Sequence, residues 1–419
     1  MSPTSSIYSD QLFVRQVQLT VQKEEEGYII GNQDTGVFLA VPEEAIQLMS
    51  WFKDGHNIGE VKILFQEKYN ENPDLQDFLE MMVDQGLIRV VEPNEDPEGA
   101  PFEAQFQLSE EQNQKFHFKD IDPRIGGFLF GKPMMMLYGL MVAVAVWLLL
   151  KYPAIVPARM DLVFRQNVTF NFIFLNIIVM FTVFLHEMAH LLAARAQNIS
   201  CRLGISNRMW YVVAETDMTG VWSLPRAKRF LPFLAGPIFD IVFAALMVFG
   251  LAWVEATGLE LSVLVKQFLR ALLLTTVLRI VWQCYFYMRT DFYFVFGAMF
   301  NCKNLMEDTT TFLKNKIKQI RGKTDLTDQS SIPPREFKII HYYAFIWVFG
   351  RAISISFLIL IVIPVMYTYF TILFDNIMKG FNDGVYVFLD SSVVIILSFF
   401  TMFLGMGMWI FKKKDSSTI

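Results

Sequence analysis

A chain of 419 residues has room for two or three ordinary domains, but 53% hydrophobic content, 41 Phe and only 18% charged residues exclude a wholly water-soluble protein. The formal net charge of -5 hides a division: residues 1–125 hold 9 Lys+Arg against 24 Asp+Glu, and the remaining residues hold 27 against 17. An acidic, water-soluble front therefore precedes a basic, apolar body, and the front's surplus of acid argues against nucleic-acid binding, which needs cations to neutralise phosphate.

Cys201, Cys284 and Cys302 are scattered and form no CxxC pair, so neither a disulfide framework nor a cysteine zinc site is expected. The opening MSPTSSIYSDQ lacks a basic region and an apolar core. That predicts no cleavable signal peptide and a front domain that stays in the compartment where it is made.

Residues 28–91 read as a small folded domain. GYIIGNQDTGVFLAV predicts two short strands around an Asn-Gln-Asp-Thr-Gly turn. PEEAIQLMSWFKDG predicts a helix with Pro42 first, Glu43 and Glu44 in its first turn, Gly55 as its stop, and an apolar face of Ile46, Met49, Trp51 and Phe52. A second helix, NIGEVKILFQEKY, is capped by Asn57. A third, DLQDFLEMMVDQG, sets Leu75, Phe78, Leu79, Met82 and Val83 at helical spacing, and LIRVVE closes the domain as a strand. The expected organisation is an α+β, winged-helix-like domain over residues 1–95 and an acidic linker over 96–125. A transmembrane domain over 126–411 and a basic tail over 412–419 follow.

Apolar runs near or beyond the roughly 20 residues that cross a bilayer predict about six transmembrane helices in a mainly α, polytopic body. They lie at about 134–156, 170–196, 230–254, 266–290, 342–368 and 392–411. Basic residues gather between the second and third spans (Arg202, Arg208, Arg226, Lys228, Arg229), between the fourth and fifth, and after the sixth (Lys412 to Lys414). This alternation puts both termini in the cytoplasm. FYFVFGAMF (292–300) is apolar enough to hide a short half-span.

The second span contains His186-Glu187-Met188-Ala189-His190. Positions i and i+4 of a helix share a face, where two imidazoles can hold one Zn²⁺, and the glutamate beside the first histidine is placed to take a proton from water activated there. The bland alternative is a pair of hydrogen-bonded core histidines, against which stands the cost of three ionisable groups in one membrane helix. Two histidines leave the metal one protein ligand short. Among the few acids expected to be buried in the membrane part, Glu187 itself, Asp240 and Asp291, the topology sets Asp291 at the cytoplasmic end of the fourth span, at a depth similar to the histidines. Asp240 is the candidate polar helper that orients a ligand or bonds a broken helix.

HEMAH, TDMTGVWSLPRAKRFLPFLAGPIFD and RTDFYFVFGAMFNCKNLMEDT, spread over residues 126–310, resemble the intramembrane site-2 protease family of zinc metallopeptidases, and within it a branch of peptide zinc metalloproteases. The resemblance implies an HExxH metalloprotease core in which His186, His190 and Asp291 hold Zn²⁺ and Glu187 acts as general base. Two positions depart from the family pattern: Phe292 stands where Gly usually follows the aspartate, and Asp240 where Asn usually follows Gly-Pro. In that family the segment 203–225, which alternates here like strand material, forms an edge sheet to which an extended substrate can add. Tyr211, Val212 and Val213 are then the candidate substrate contacts, with an ordinary cytoplasmic loop as the alternative. Glu215 and Asp217 read as solvent-facing.

The front domain resembles PqqD-like peptide-recognition domains, and the Glu24–Glu26 run reads as a solvated loop. Together these readings imply an endopeptidase of the bacterial cytoplasmic membrane, with a peptide or precursor protein as substrate. Lipid surrounds it, and a peptide-modifying enzyme or transporter is a candidate partner. The implied role is maturation or export of a ribosomally made, modified peptide or bacteriocin. The alternatives are regulatory cleavage of a membrane-anchored protein, or a non-catalytic zinc-binding peptide scaffold in an export or immunity complex.

Overall fold

The computed structural model describes residues 8–415 apart from 25–26, 33–35, 93–120, 165–166, 209–210, 303, 331 and 383. Most of the expected linker at 96–125 and the last residues of the expected basic tail lie outside the described residues. The chain divides into two compact units. One comprises residues up to Ile121 with 197–202 and 217–229; the other comprises 122–196, 203–216 and 230–419.

In the first unit, β1 (Phe13–Gln16) pairs antiparallel with β5 (Ile88–Val91), while β2 (Thr20–Glu24), β3 (Gly27–Asn32) and β4 (Val37–Val41) form an antiparallel meander. The three expected helices are present as α1 (Glu43–Lys53), α2 (Ile58–Tyr69) and α3 (Leu75–Asp84). Their punctuation follows from local chemistry. Gly55 takes a φ of +92°, which a side chain would disfavour, and so turns the chain after α1. Asn57 opens α2 with a capping box: its side chain accepts from the Glu60 N–H, and the Glu60 carboxylate accepts from the Asn57 N–H. Apolar faces of all three helices close on Ile30, Val41 and Ile88 to make one core, in which Val61, Leu79 and Met82 are fully buried.

A short 3₁₀ turn, Thr219–Ser223, and the residues after it belong to the same unit. Here two expectations fail. Glu24 is not in a solvated loop but ends β2 with its side chain buried, and Arg229 is fully buried rather than a loop cation. The two form an ion pair, and Arg229 also donates to the carbonyls of Leu224 (2.7 Å) and Trp222 (2.8 Å). Neither charge is tolerable at such burial without the other.

Among the described residues the second unit is helical apart from one two-stranded sheet. Its elements, of which Arg202, Asp217 and Arg226 to Arg229 fall in the first unit, are α4 (Pro123–Leu129), α5 (Lys132–Lys151), α6 (Val168–Arg195), the hydrogen-bonded strands β6 (Arg202–Arg208) and β7 (Tyr211–Asp217), α7 (Arg226–Thr257), α8 (Val263–Trp282) and α9 (Asp291–Phe300). They are followed by α10 (Leu305–Ile320), α11 (Pro334–Phe357), α12 (Ile363–Met378) and α13 (Val385–Asp415). A single π turn joins α11 to α12, giving one run from Pro334 to Met378. Among the described residues four stretches are long and apolar enough to cross a membrane: α5, α6, α7 and the α11–α12 run. The expected fourth span is shorter than read, because α8 stops at Trp282 and carries Lys266, Arg270 and Arg279. The region 302–340, read as a polar loop, contains α10, whose Leu305 and Phe312 pack on α11 residues Ile340 and Tyr343.

Two long-range contacts set the helix that bears the histidines. The first N–H groups of α6, on Val168 and Thr169, donate to the Asp390 carboxylate of α13 at 2.7 and 2.9 Å, a cap supplied by another helix where Asn167 supplies none. Near the other end, Gly126 of α4 lies so close that a Cβ there would stand 2.0 Å from the Leu192 carbonyl oxygen.

Candidate metal centre

His186 and His190 leave one face of α6, both buried, with their Nε2 atoms 3.2 Å apart. Asp291 does not end the fourth span, as the sequence suggested; it opens α9. Its Oδ2 lies 3.2 Å from His186 Nε2 and 3.4 Å from His190 Nε2. The break between α8 and α9 is what allows this. Gln283, the residue after α8, donates from its amide to Asp291 Oδ2 (2.8 Å) and accepts from the Asp291 N–H (3.1 Å). Thr290 Oγ1–H donates to the Gln283 carbonyl at 3.0 Å. Irregular backbone is tolerated in a membrane protein only when its polar groups are satisfied in this way.

The three donor atoms lie within 4.8 Å of one another. Ligands bonded to a tetrahedral zinc at about 2.0–2.1 Å stand about 3.3–3.4 Å apart, so a triangle of 3.2, 3.2 and 3.4 Å has the size of one face of that tetrahedron. The opposite ring nitrogens agree. His190 Nδ1 faces the Pro232 carbonyl at 2.7 Å and must carry the proton, leaving Nε2 as a lone-pair donor. His186 Nδ1 donates to the Asp240 carboxylate at 2.9 Å with the same result. Gly236 supplies the room: a Cβ there would lie 2.3 Å from His190 Nε2 and 2.4 Å from His186 Nε2, close to a zinc–nitrogen bond length from both. The donor set and the space both fit Zn²⁺.

Glu187 belongs to a different set of contacts. Its Oε2 accepts from the Thr216 N–H of β7 at 2.8 Å, and its backbone carbonyl accepts from Thr216 Oγ1–H at 3.1 Å. This fastens the carboxylate and leaves Oε1 for other work. The end of β7 is tied by Arg202, which donates through Nε to Asp217 Oδ2 at 3.0 Å, and by Thr219, whose N–H donates to Asp217 Oδ1 at 3.0 Å. Burial works to raise the Asp217 carboxyl, but these bonds outweigh it and hold the group below the usual carboxylate range. Asp217 is thus a paired structural acid whose side chain is still about one-third exposed, at 35%.

Of the residues singled out from sequence, the fold brings together His186, His190, Asp291 and Asp240, and sets Glu187 against Thr216. Tyr211, Val212 and Val213 lie on β7, with their side chains outside the described residues. Phe292 packs in the aromatic cluster around Tyr293 and Tyr343. Sequence reasoning missed Gln283, Thr216, Gly236, the Pro232 carbonyl and Arg279. Gly236-Pro237 within an apolar helix was a visible signal, since glycine marks close approach and proline a disturbed ladder. So was an arginine at 279 in an apolar run.

The model of peptidase family M50 matches residues 174–412, more than half of the chain and all of the centre just described. The N-terminal α+β domain lies outside that match. No curated protein and no solved structure matches the chain. The chain belongs to peptidase family M50, the site-2 protease family of membrane metallopeptidases.

Proposed function

We propose that the protein is a zinc endopeptidase of the bacterial cytoplasmic membrane, with both termini in the cytoplasm, that cleaves a peptide or precursor protein. The observation that carries this reading is the convergence of His186 Nε2, His190 Nε2 and Asp291 Oδ2 beside Glu187. When bound, zinc polarises a carbonyl and makes water nucleophilic near neutral pH. Glu187, fastened through Oε2, takes the proton of the attacking water at Oε1 and delivers it to the leaving amine nitrogen. Asp240 and the Pro232 carbonyl keep both rings turned so that Nε2 faces inward. The two-stranded β6–β7 sheet is an element to which an extended substrate can add by backbone hydrogen bonds, a form that a transmembrane helix must adopt before its peptide bonds are accessible.

The N-terminal domain, by its resemblance to PqqD-like domains, captures the peptide that the membrane site cuts. Maturation or export of a ribosomally made, modified peptide or bacteriocin is the setting, with a modifying enzyme or transporter as partner. Metal analysis and cleavage of a short precursor encoded beside the gene test the reading. Wild type is expected to carry zinc and cleave, and Glu187→Gln to keep zinc and lose cleavage. Zinc with no cleavage in either form would instead favour a peptide-binding scaffold, and a wild type without zinc would overturn the assignment.

A further inference from the structure

Behind His186 lies a charged network that zinc ligation alone does not require. Asp240 of α7 is completely buried, and an unpaired carboxylate there would be severely penalised. Both its oxygens are occupied. Arg279 of α8 donates through Nε to Oδ2 at 2.9 Å and through Nη2 to Oδ1 at 2.5 Å, and Oδ2 also accepts from His186 Nδ1. The remaining arm of the guanidinium, Nη1, donates to Thr182 Oγ1 at 2.9 Å, and Thr182 stands one turn before His186 on α6. One planar cation therefore fastens α6, α7 and α8 at the back of the metal centre.

We propose that Arg279 is a positioning residue of the metal centre, acting through Asp240 to hold His186 with Nε2 as its ligand atom. The proposal rests on the zinc reading above and assigns a role to a residue outside the ligand set. A carboxylate gripped in its own plane by two N–H groups cannot rotate, so the ring that donates to it is fixed in tilt as well as in tautomer. Lysine cannot do the same: an ammonium is a point charge and does not span two oxygens and a hydroxyl in one plane. The pair also behaves as a unit. Removing Arg279 alone leaves a buried, uncompensated carboxylate in contact with a ligand, whereas neutralising both partners leaves an amide carbonyl that can still accept from His186 Nδ1.

The test uses the full chain in detergent and two probes, Zn²⁺ in competition with a chromophoric chelator and Co²⁺ read by its visible ligand-field bands. Arg279→Gln is expected to weaken zinc binding by about 10–100-fold and to shift the Co²⁺ bands. Arg279→Lys is expected to fall between that variant and wild type. Asp240→Asn/Arg279→Gln, which leaves no uncompensated buried charge, is expected to bind zinc more tightly than Arg279→Gln but to keep Co²⁺ bands shifted from wild type, because nothing then fixes the tilt of the His186 ring. Wild-type affinity and bands in Arg279→Gln overturn the proposal, as does a double variant that fails to fold or binds no better than the single. A wild-type chain that takes up neither ion overturns the zinc reading as well, and so separates the two failures.

Discussion

The N-terminal domain and the membrane unit solve burial in opposite ways. In the first, Leu79, Met82 and Ile88 are inside, while charged groups such as Lys62 and Asp10 pair at the surface, the buried Glu24–Arg229 pair being the exception. In the second, the same helix that exposes Phe170, Phe174, Ile177 and Phe181 buries Thr182, His186 and His190. Lipid makes apolar exposure cheap there, so what needs enclosure is the polar machinery. The consequence is energetic as well as spatial. The domain is held by many interchangeable apolar contacts, the centre by a few polar ones that each have a fixed partner.

The sharpest way to break that contrast is Gly236→Ala. A single methyl group would meet both imidazole Nε2 atoms at under 2.5 Å, and α7 cannot withdraw without pulling Asp240 and the Pro232 carbonyl off their histidines. Zinc content, measured by metal analysis, is expected to fall toward zero while helical circular dichroism stays as in wild type. The complementary change is Leu79→Ala, a cavity in the N-terminal core, expected to cost about 2–5 kcal/mol. Hydrogen exchange should show amides of residues 75–91 opening more readily by that amount, with zinc content unchanged. Loss of zinc in this variant would show that the two regions do not behave as separate kinds of structure.

The contrast also explains what could be read from sequence. The N-terminal helices were legible because their signals are local: Asn57 and Glu60 are three residues apart, and Gly55 acts on its own φ. HEMAH was legible for the same reason, since two ligands one turn apart need only a helix. Asp291 was reachable through charge and hydropathy, though its element was misread. The largely apolar run 266–290, even with Lys266, Arg270, Arg279 and Arg289 in it, carries no local mark of the helix end at which Gln283 and Asp291 satisfy each other. Arg279 and Asp240, 39 positions apart, and Glu24 and Arg229, 205 apart, are pairings of charge that no local pattern specifies.

Asp390 shows the same non-locality at lower stakes. It caps α6 from α13, some 18 residues before His186, which at 1.5 Å per residue is about 27 Å from the centre. Asp390→Ala is expected to cost about 0.5–2 kcal/mol, the range for a lost helix cap. The effect should be confined to faster hydrogen exchange of the first turn of α6, and zinc content should not change.

The smallest expected effect is at Asp217, the last residue of β7. Its carboxyl is held below the usual range in the folded chain by Thr219 and Arg202, against the opposing effect of burial. A group with a depressed folded value contributes stability that is present above its unfolded value, about 3.9, and is lost as pH falls through the folded value. Because the side chain is about one-third exposed, at 35%, solvent screens the pair, and the contribution should be no more than about 1 kcal/mol. Thermal unfolding followed below pH 5 should therefore show a slightly shallower acid limb in Asp217→Asn than in wild type. The two should differ by a constant offset above pH 5, because the aspartate is ionised in both folded and unfolded chains there. An acid limb of unchanged slope would mean that the Arg202 contact is geometric rather than electrostatic. The end of β7 would then be held, like the N-terminal core, by packing instead of charge.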